Sequence, residues 1–199
     1  MTEPQPATQL QGGHADESPV KSGHVTDSLA SLVASTLRDI HDFPGPGVVF
    51  KDFTPLLADH GAFAAVVDDV VDRFKGKVDA IVGIEARGFM IGAAAAYAMG
   101  VGFVPVRKAG KLPHSTESIS YALEYGQATI EIHTDAVAAG SRVLVVDDVL
   151  ATGGTAAATC ELVERSGATV VGVDIVVEIV ALGGRAALGD RPLHAILQV

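Results

Sequence analysis

Apolar and polar positions along this chain follow two different periods, and each change of period marks an element. Residues 1 to about 25 show no period. Pro, Gly, Gln, Ser and charges follow one another without an apolar repeat, so this stretch reads as a disordered tail. From Ser28 a pattern sets in: Leu29, Leu32, Val33, Leu37 and Ile40 recur at helical spacing, with Asp27 or Ser28 as cap, which predicts a helix to about His41. The Pro- and Gly-rich segment Asp42–Lys51 reads as a loop that ends in apolar Val48, Val49 and Phe50. Helical spacing returns at Gly61–Phe74, Arg87–Met99 and Gly153–Ser166, with a short helix at Gly184–Leu188. Between them lie short apolar runs, Asp79–Gly83, Gly102–Arg107, Val143–Val146 and Thr169–Val177, with Leu193–Leu197 last. A polar stretch, Lys108–Ser118, precedes alternation at Ile119–Glu124 and Ala128–His133, which predicts a hairpin turning near Gly126.

Buried strands alternating with helices imply an α/β fold. Residues 26–199 are expected to form a single domain with a central, mostly parallel sheet flanked by helices. The flexible loop and the hairpin form a small hood beside it. The length of 199 residues agrees with one domain.

Composition narrows the function classes. Acidic residues outnumber basic ones by 24 to 14, a net charge of −10, which disfavours nucleic acid and anionic membranes as partners. The uncharged stretch Gly88–Val106 raises the question of a membrane span. Its glycines, its five alanines and the break at Gly100–Gly102 instead predict an Ala-rich buried helix followed by a strand. No basic start with an apolar centre suggests a secretory signal. The one cysteine, Cys160, cannot form an internal disulfide and reads as a small buried helix residue, which suits a cytoplasmic protein.

The most informative run is Val143–Thr155, VLVVDDVLATGGT. Four apolar residues form a buried strand that is expected to end at Asp147 and Asp148, and a turn then delivers Ala151, Thr152, Gly153, Gly154 and Thr155 to a helix start. Ligands of parallel sheets bind beyond the carboxyl ends of strands. A Gly-rich turn at a helix N-terminus points backbone N–H groups at an anion, and the hydroxyls of Thr152 and Thr155 suit a terminal phosphate. Two carboxylates would repel that phosphate; they suit sugar hydroxyls or a metal-bound ligand. The local chemistry therefore reads as a phosphorylated sugar. It is not a nucleotide P-loop, because Phe89 and Met90 stand where Lys and Ser or Thr would follow Gly83–Gly88.

This run resembles the PRPP (phosphoribosyl pyrophosphate) motif of the type I phosphoribosyltransferases. The chain from about residue 28 onward is similar to the adenine-specific members of that family. The matching segments are Asp42–Leu57 (DFPGPGVVFKDFTPLL), Gly83–Phe89 (GIEARGF), Arg107–Pro113 (RKAGKLP), Tyr121–Gly126 (YALEYG) and Val177–Arg185 (VEIVALGGR).

The resemblance implies a role for each segment. Ala151 to Thr155 would bind the 5-phosphate and Asp147 and Asp148 the ribose diol. Arg87, Lys108 and Lys111 would bind diphosphate, joined by Arg107 from the partner subunit of a homodimer, with an unusual peptide at or next to Glu85–Ala86. Lys108 and Lys111 would lie in a lid that closes over the diphosphate; related loops often carry Arg after Leu-Pro, where His114 stands here. Glu124 would be the catalytic group that manages a proton at the purine. Val49, Phe50 and Lys51 would form the adenine pocket, with Ile179 over the opposite face. Mg2+ is the implied cofactor, held mainly by PRPP, so no dedicated protein ligands are expected for it. Two rival readings remain: the same fold acting on another base such as xanthine or hypoxanthine, and a PRPP-sensing regulator that binds nucleic acid. The regulator reading calls for a basic patch, which the net charge opposes.

Overall fold

The chain begins with a helix, α1 (Gly23–Thr36), and an antiparallel ribbon, β1 (Arg38–His41) with β2 (Val49–Asp52). Two helices, α2 (Thr54–Ala58) and α3 (His60–Phe74), lead to β3 (Ala80–Ile84), α4 (Arg87–Met99) and β4 (Gly102–Lys108). A hairpin, β5 (Thr116–Ala122) and β6 (Gln127–His133), is followed by β7 (Arg142–Leu150), α5 (Gly154–Arg165) and β8 (Thr169–Glu178). A 3-10 turn at Val180–Leu182, α6 (Gly184–Ala187) and β9 (Leu193–Gln198) complete it. The computed structural model describes residues 23–43, 45–122 and 126–199. The sequence-predicted tail lies outside them except for residues 23–25, which belong to α1.

Seven strands form one sheet in the order β5-β6-β4-β3-β7-β8-β9. The pairs β3–β4, β3–β7, β7–β8 and β8–β9 are parallel, while β6 pairs antiparallel with both β4 and β5. The central strands are apolar on both faces because both faces are covered. Val143 and Val145 pack with Val82, Val104, Cys160 and Leu162 under α5. Leu144 and Val146 pack the other way, with Ile81, Ile91, Val66 and Val33 under α1 to α4. Among the described residues no helix is long and apolar enough to cross a membrane.

Three expectations are corrected. The first helix starts at Gly23, before the expected cap, since no proline interrupts residues 20–43. It also ends at Thr36 instead of His41. Leu37 and Ile40 fit a helical period, but Ile40 is paired with Phe50 across the β1–β2 ribbon, which ion pairs Arg38–Asp52 (2.6 Å) and Lys51–Asp39 (2.7 Å) cross-link. Here tertiary pairing overrides local periodicity. The expected loop 42–51 thus contains strand residues. Finally, β7 does not stop at the two aspartates. Pairing continues through Val149↔Val177 and Leu150↔Glu178, so both carboxylates lie inside a strand.

The double coverage of β7 makes Leu144, fully buried at the middle of the sheet, a sensitive probe of the fold. Leu144→Ala is expected to destabilise the protein by about 2–5 kcal/mol in denaturant titration, through lost burial and the cavity left behind.

Candidate active site

Near the end of β7, where the turn 151–153 leads into α5, Asp147 and Asp148 both lie beside the start of α4: Asp148 meets Arg87, and a Cβ at Gly88 would stand 3.0 Å from Asp147 Oδ1. Asp148 is 4% exposed and forms an ion pair with Arg87 Nε at 2.6 Å, at an angle that falls short of a hydrogen bond. The Asp148 N–H donates to Asp147 Oδ1 at 2.9 Å. Burial is the main force raising the Asp147 carboxyl well above the usual carboxylate range, and the neighbouring Asp148 charge adds to it.

Arg87 can reach Asp148 because α4 starts against β7. A Cβ at Gly88 would stand 2.6 Å from the Val146 carbonyl oxygen, so only glycine permits that approach. The Arg87 guanidinium also lies 5.2 Å from the centre of the Phe50 ring and 5.7 Å from that of Phe53, within cation–π range. Phe50 makes an edge contact with Phe43 at 5.1 Å. One side chain therefore joins the β1–β2 ribbon, the start of α4 and the acidic pair. Val49 is exposed beside Phe50. Lys51 is half-buried with its ammonium committed to Asp39.

The turn Ala151–Gly154 lines a depression of about 320 Å³ including its open mouth, with Asp147, Val149, Leu150, Thr155 and Ala156 completing the wall. Gly153 has a left-handed backbone, φ +81°, and a Cβ there would meet the Gly184 carbonyl oxygen at 2.2 Å. The converse also holds, since a Cβ at Gly184 would meet the Ala151 carbonyl oxygen at 2.2 Å. The turn is thus clamped backbone to backbone by the start of α6. That clamp is held by Glu178, which accepts from Arg185 Nε (3.0 Å), Arg185 Nη2 (2.5 Å) and Gln198 Nε2 (2.9 Å). Ile179 is half-buried, and its N–H donates to the Leu150 carbonyl at 2.9 Å, which brings it beside the end of β7. The Thr155 hydroxyl is 2.8 Å from the Tyr121 phenol, tying the hairpin to the helix start.

A second carboxylate cluster lies next to Arg87. The Glu85–Ala86 peptide is cis, at the position where the sequence reading places an unusual peptide. Glu85 Oε2 accepts the Lys108 N–H at 3.0 Å, Glu85 Oε1 accepts from Lys111 Nζ, and Arg107 Nε stands 3.4 Å from Oε2. Burial pushes the Glu85 carboxyl up, but the Lys111 ammonium, the Lys108 amide and the Arg107 charge outweigh it and hold it below the ordinary value. So Arg87, Arg107, Lys108 and Lys111 converge on one region, each already near a carboxylate or its loop. Glu124 lies outside the described residues. Among the described residues no group of three or more His, Cys, Asp or Glu side chains could hold a metal ion. Cys160 is fully buried, and burial pushes its thiol up to about 12, so it is inert packing.

Sequence reasoning missed Tyr121, Glu85, Phe53 and the Gly184 clamp as parts of this region. Their signal was present only as membership of the matching segments, since each acts through a residue distant in sequence.

A family model described as a phosphoribosyl transferase domain matches residues 56–188. The chain is 62% identical over 172 residues to an adenine phosphoribosyltransferase of Salinispora tropica, covering 85% of this chain and 91% of that one. It is similar to the crystal structure of the adenine phosphoribosyltransferase of Rhodothermus marinus, with a TM-score of 0.82 and 44% identity over 87% of this chain and 99% of that one. It is equally similar, at a TM-score of 0.82 and 41% identity, to the Saccharomyces cerevisiae enzyme complexed with an imino-altritol bisphosphate and adenine; that match covers 86% of this chain and 99% of that one.

Two measurements probe the site. Gly184→Ala pushes a methyl group into the clamp, and is expected to weaken binding of ribose 5-phosphate by about tenfold or more in calorimetry, since a phosphate held by several amides loses its geometry. Asp147→Asn should raise the melting temperature at pH 7, because a carboxyl whose value is raised by folding loses stability as pH rises through the carboxylate range. The advantage should shrink as pH falls towards about 4, where the unfolded aspartate also holds its proton. A constant offset at both pH values would count against that assignment of the charge.

Proposed function

The chain belongs to the adenine phosphoribosyltransferase family, and from that premise we infer how its residues share the transfer of a phosphoribosyl group from PRPP to adenine. The products are AMP and diphosphate, a purine-salvage reaction. The contact that carries the assignment is the one made by Arg87. It joins Phe50 of the base ribbon to Asp148 of the sugar strand, beside the carboxylate-held loop of cations.

The turn Ala151, Thr152, Gly153, Gly154 and the helix residue Thr155 take the 5-phosphate through backbone N–H groups and hydroxyls. Asp147 and Asp148 accept from the ribose 2- and 3-hydroxyls. Arg87, Lys108 and Lys111 bind the diphosphate, whose charge grows as the bond to the anomeric carbon breaks. The transition state has oxocarbenium character, as in glycoside hydrolysis, so the protein chiefly aligns the base, stabilises the leaving charge and excludes water. Phe50 stacks on adenine, Ile179 covers its other face, and the main chain of Val49 and Lys51 reads the 6-amino group and ring nitrogen. A carbonyl that accepts from that amino group would oppose another acceptor in hypoxanthine, and such mismatches discriminate by up to ~10⁴. Glu124 holds or gives the proton at the imidazole edge of the base. Bound to PRPP, Mg2+ would neutralise charge on the diphosphate. Asp147 and Asp148 suit that arrangement, since carboxylate oxygens accept from the hydroxyls of a metal-bound sugar.

The working form is a cytoplasmic homodimer. Within the chain Arg107 already stands beside Glu85, and its service to the diphosphate site of a second subunit rests on the family resemblance.

The test is an end-point assay with PRPP and Mg2+ offering adenine, hypoxanthine, guanine, xanthine and orotate separately. AMP from adenine alone is expected. Turnover of another base would overturn the base pocket while keeping the PRPP site, and PRPP binding without turnover of any base would favour a sensor.

A further inference from the structure

Among the described residues, the reaction assigned above leaves two buried carboxylates without a part, Asp174 and Glu131, and only Glu131 touches the cationic loop. Glu131 lies on β6 between two partner strands, opposite Arg107 of β4 and Ser118 of β5. Its neighbours Ile130 and Ile132 enter the core on one face of the sheet, so Glu131 faces the other way, where the segment between β4 and β5 crosses over it. There it is 6% exposed.

A carboxylate at that depth has to be satisfied by donors, because an unpaired buried charge is strongly destabilising. The donors come from the loop itself. The Lys111 and Leu112 N–H groups both donate to Glu131 Oε1 at 2.9 Å, and the Thr116 hydroxyl stands 3.5 Å from Oε2. Burial pushes the Glu131 carboxyl up, but the amides of Leu112, Gly110 and Lys111, with Thr116, hold it below its ordinary value.

Two carboxylates therefore grip one loop in different ways. Glu85 takes the Lys111 ammonium, the same group that the diphosphate needs. Glu131 takes the backbone on either side of the Lys111 carbonyl, which the diphosphate leaves alone. When Lys111 passes from Glu85 to substrate, the grip of Glu131 on the loop backbone persists.

We propose that Glu131 is a positioning residue that seats the 109–115 loop and so sets where Lys108 and Lys111 meet the diphosphate. This rests on the assignment of those lysines made above. A seated loop presents its cations at fixed positions, so less ordering is left for substrate to impose.

The test compares Glu131→Ala, Glu131→Gln and Lys111→Met by steady-state kinetics, with trypsin cleavage after Lys111 as a readout of loop seating. Glu131→Ala is expected to raise KM for PRPP by about tenfold or more while KM for adenine stays within about twofold, and to speed cleavage at Lys111–Leu112. Glu131→Gln keeps an oxygen that can accept both amides, so it should restore most of the PRPP affinity and the protection from trypsin. If the alanine variant does not fold, Glu131→Asp, shorter by one methylene, is expected to show the same selective rise. Lys111→Met tests the underlying assignment: an unchanged KM for PRPP would remove the lysine from the diphosphate site, and the role of Glu131 with it. A raised KM in Lys111→Met with unchanged kinetics and cleavage in Glu131→Ala would overturn the anchor alone. Equal rises in both KM values, not relieved by Gln, would mean that Glu131 only supports the fold.

Discussion

Two adjacent carboxylates in a central strand of the sheet are the constraint to which the rest of the site answers. Strand β7 is apolar on both faces up to Val146, and Asp147 and Asp148 follow while the strand is still paired with β8. Neighbouring like charges in a region of low polarity raise each other's cost of ionisation. Asp148 is paired with Arg87, while the Asp147 carboxyl is pushed up and accepts one backbone amide. Arg87 in turn depends on a glycine at its C-terminal side and on the faces of Phe50 and Phe53. The geometry of the base ribbon is thus coupled to the charge of the sugar strand through a single guanidinium.

The phosphate turn shows the same economy in backbone instead of charge. A loop that points its N–H groups at a ligand cannot also satisfy them in the protein, so its shape has to be held from behind. Gly153 and Gly184 touch main chain to main chain, and the segment bearing Gly184 is tied down by Arg185 on Glu178 and by Gln198 near the end of the chain. That places the last strand of the sheet in the support of a turn formed before α5. The glycine pair at 183–184 then has a structural meaning: a side chain at Gly184 would push the turn out of position.

What could be read from the sequence was what is local. The run Val143–Thr155 contains strand, carboxylates, turn and helix start in one stretch, so its chemistry was legible before any coordinates. The sheet was legible for the same reason, since each buried strand is a short apolar run with a helix between it and the next. The Leu37–Ile40 segment misled because its spacing fits a helix equally well, and only its pairing with Phe50 decides for a strand. Glu85 and Glu131 were not legible as site residues. Their partners are mostly backbone amides and cations far along the chain, and no residue pattern encodes an amide that will arrive from elsewhere.

An acidic protein that binds a polyanion has to concentrate its cations, and the arrangement of this chain indicates how. The net charge is −10, yet Arg87, Arg107 and Lys111 converge at one end of the central strands, each within ion-pairing distance of Asp148 or Glu85. Left without partners, these cations would repel one another and scatter. In the proposed function, carboxylates hold them where phosphate oxygens would arrive, so that substrate would exchange one anion for another within a preformed frame. Such exchange keeps the electrostatic reorganisation on binding small, which is the condition for stabilising a leaving diphosphate strongly. It also explains why the backbone of the cationic loop is anchored separately from its side chains. In that proposal the ammonium groups change partners during the reaction, whereas the segment that carries them stays in place.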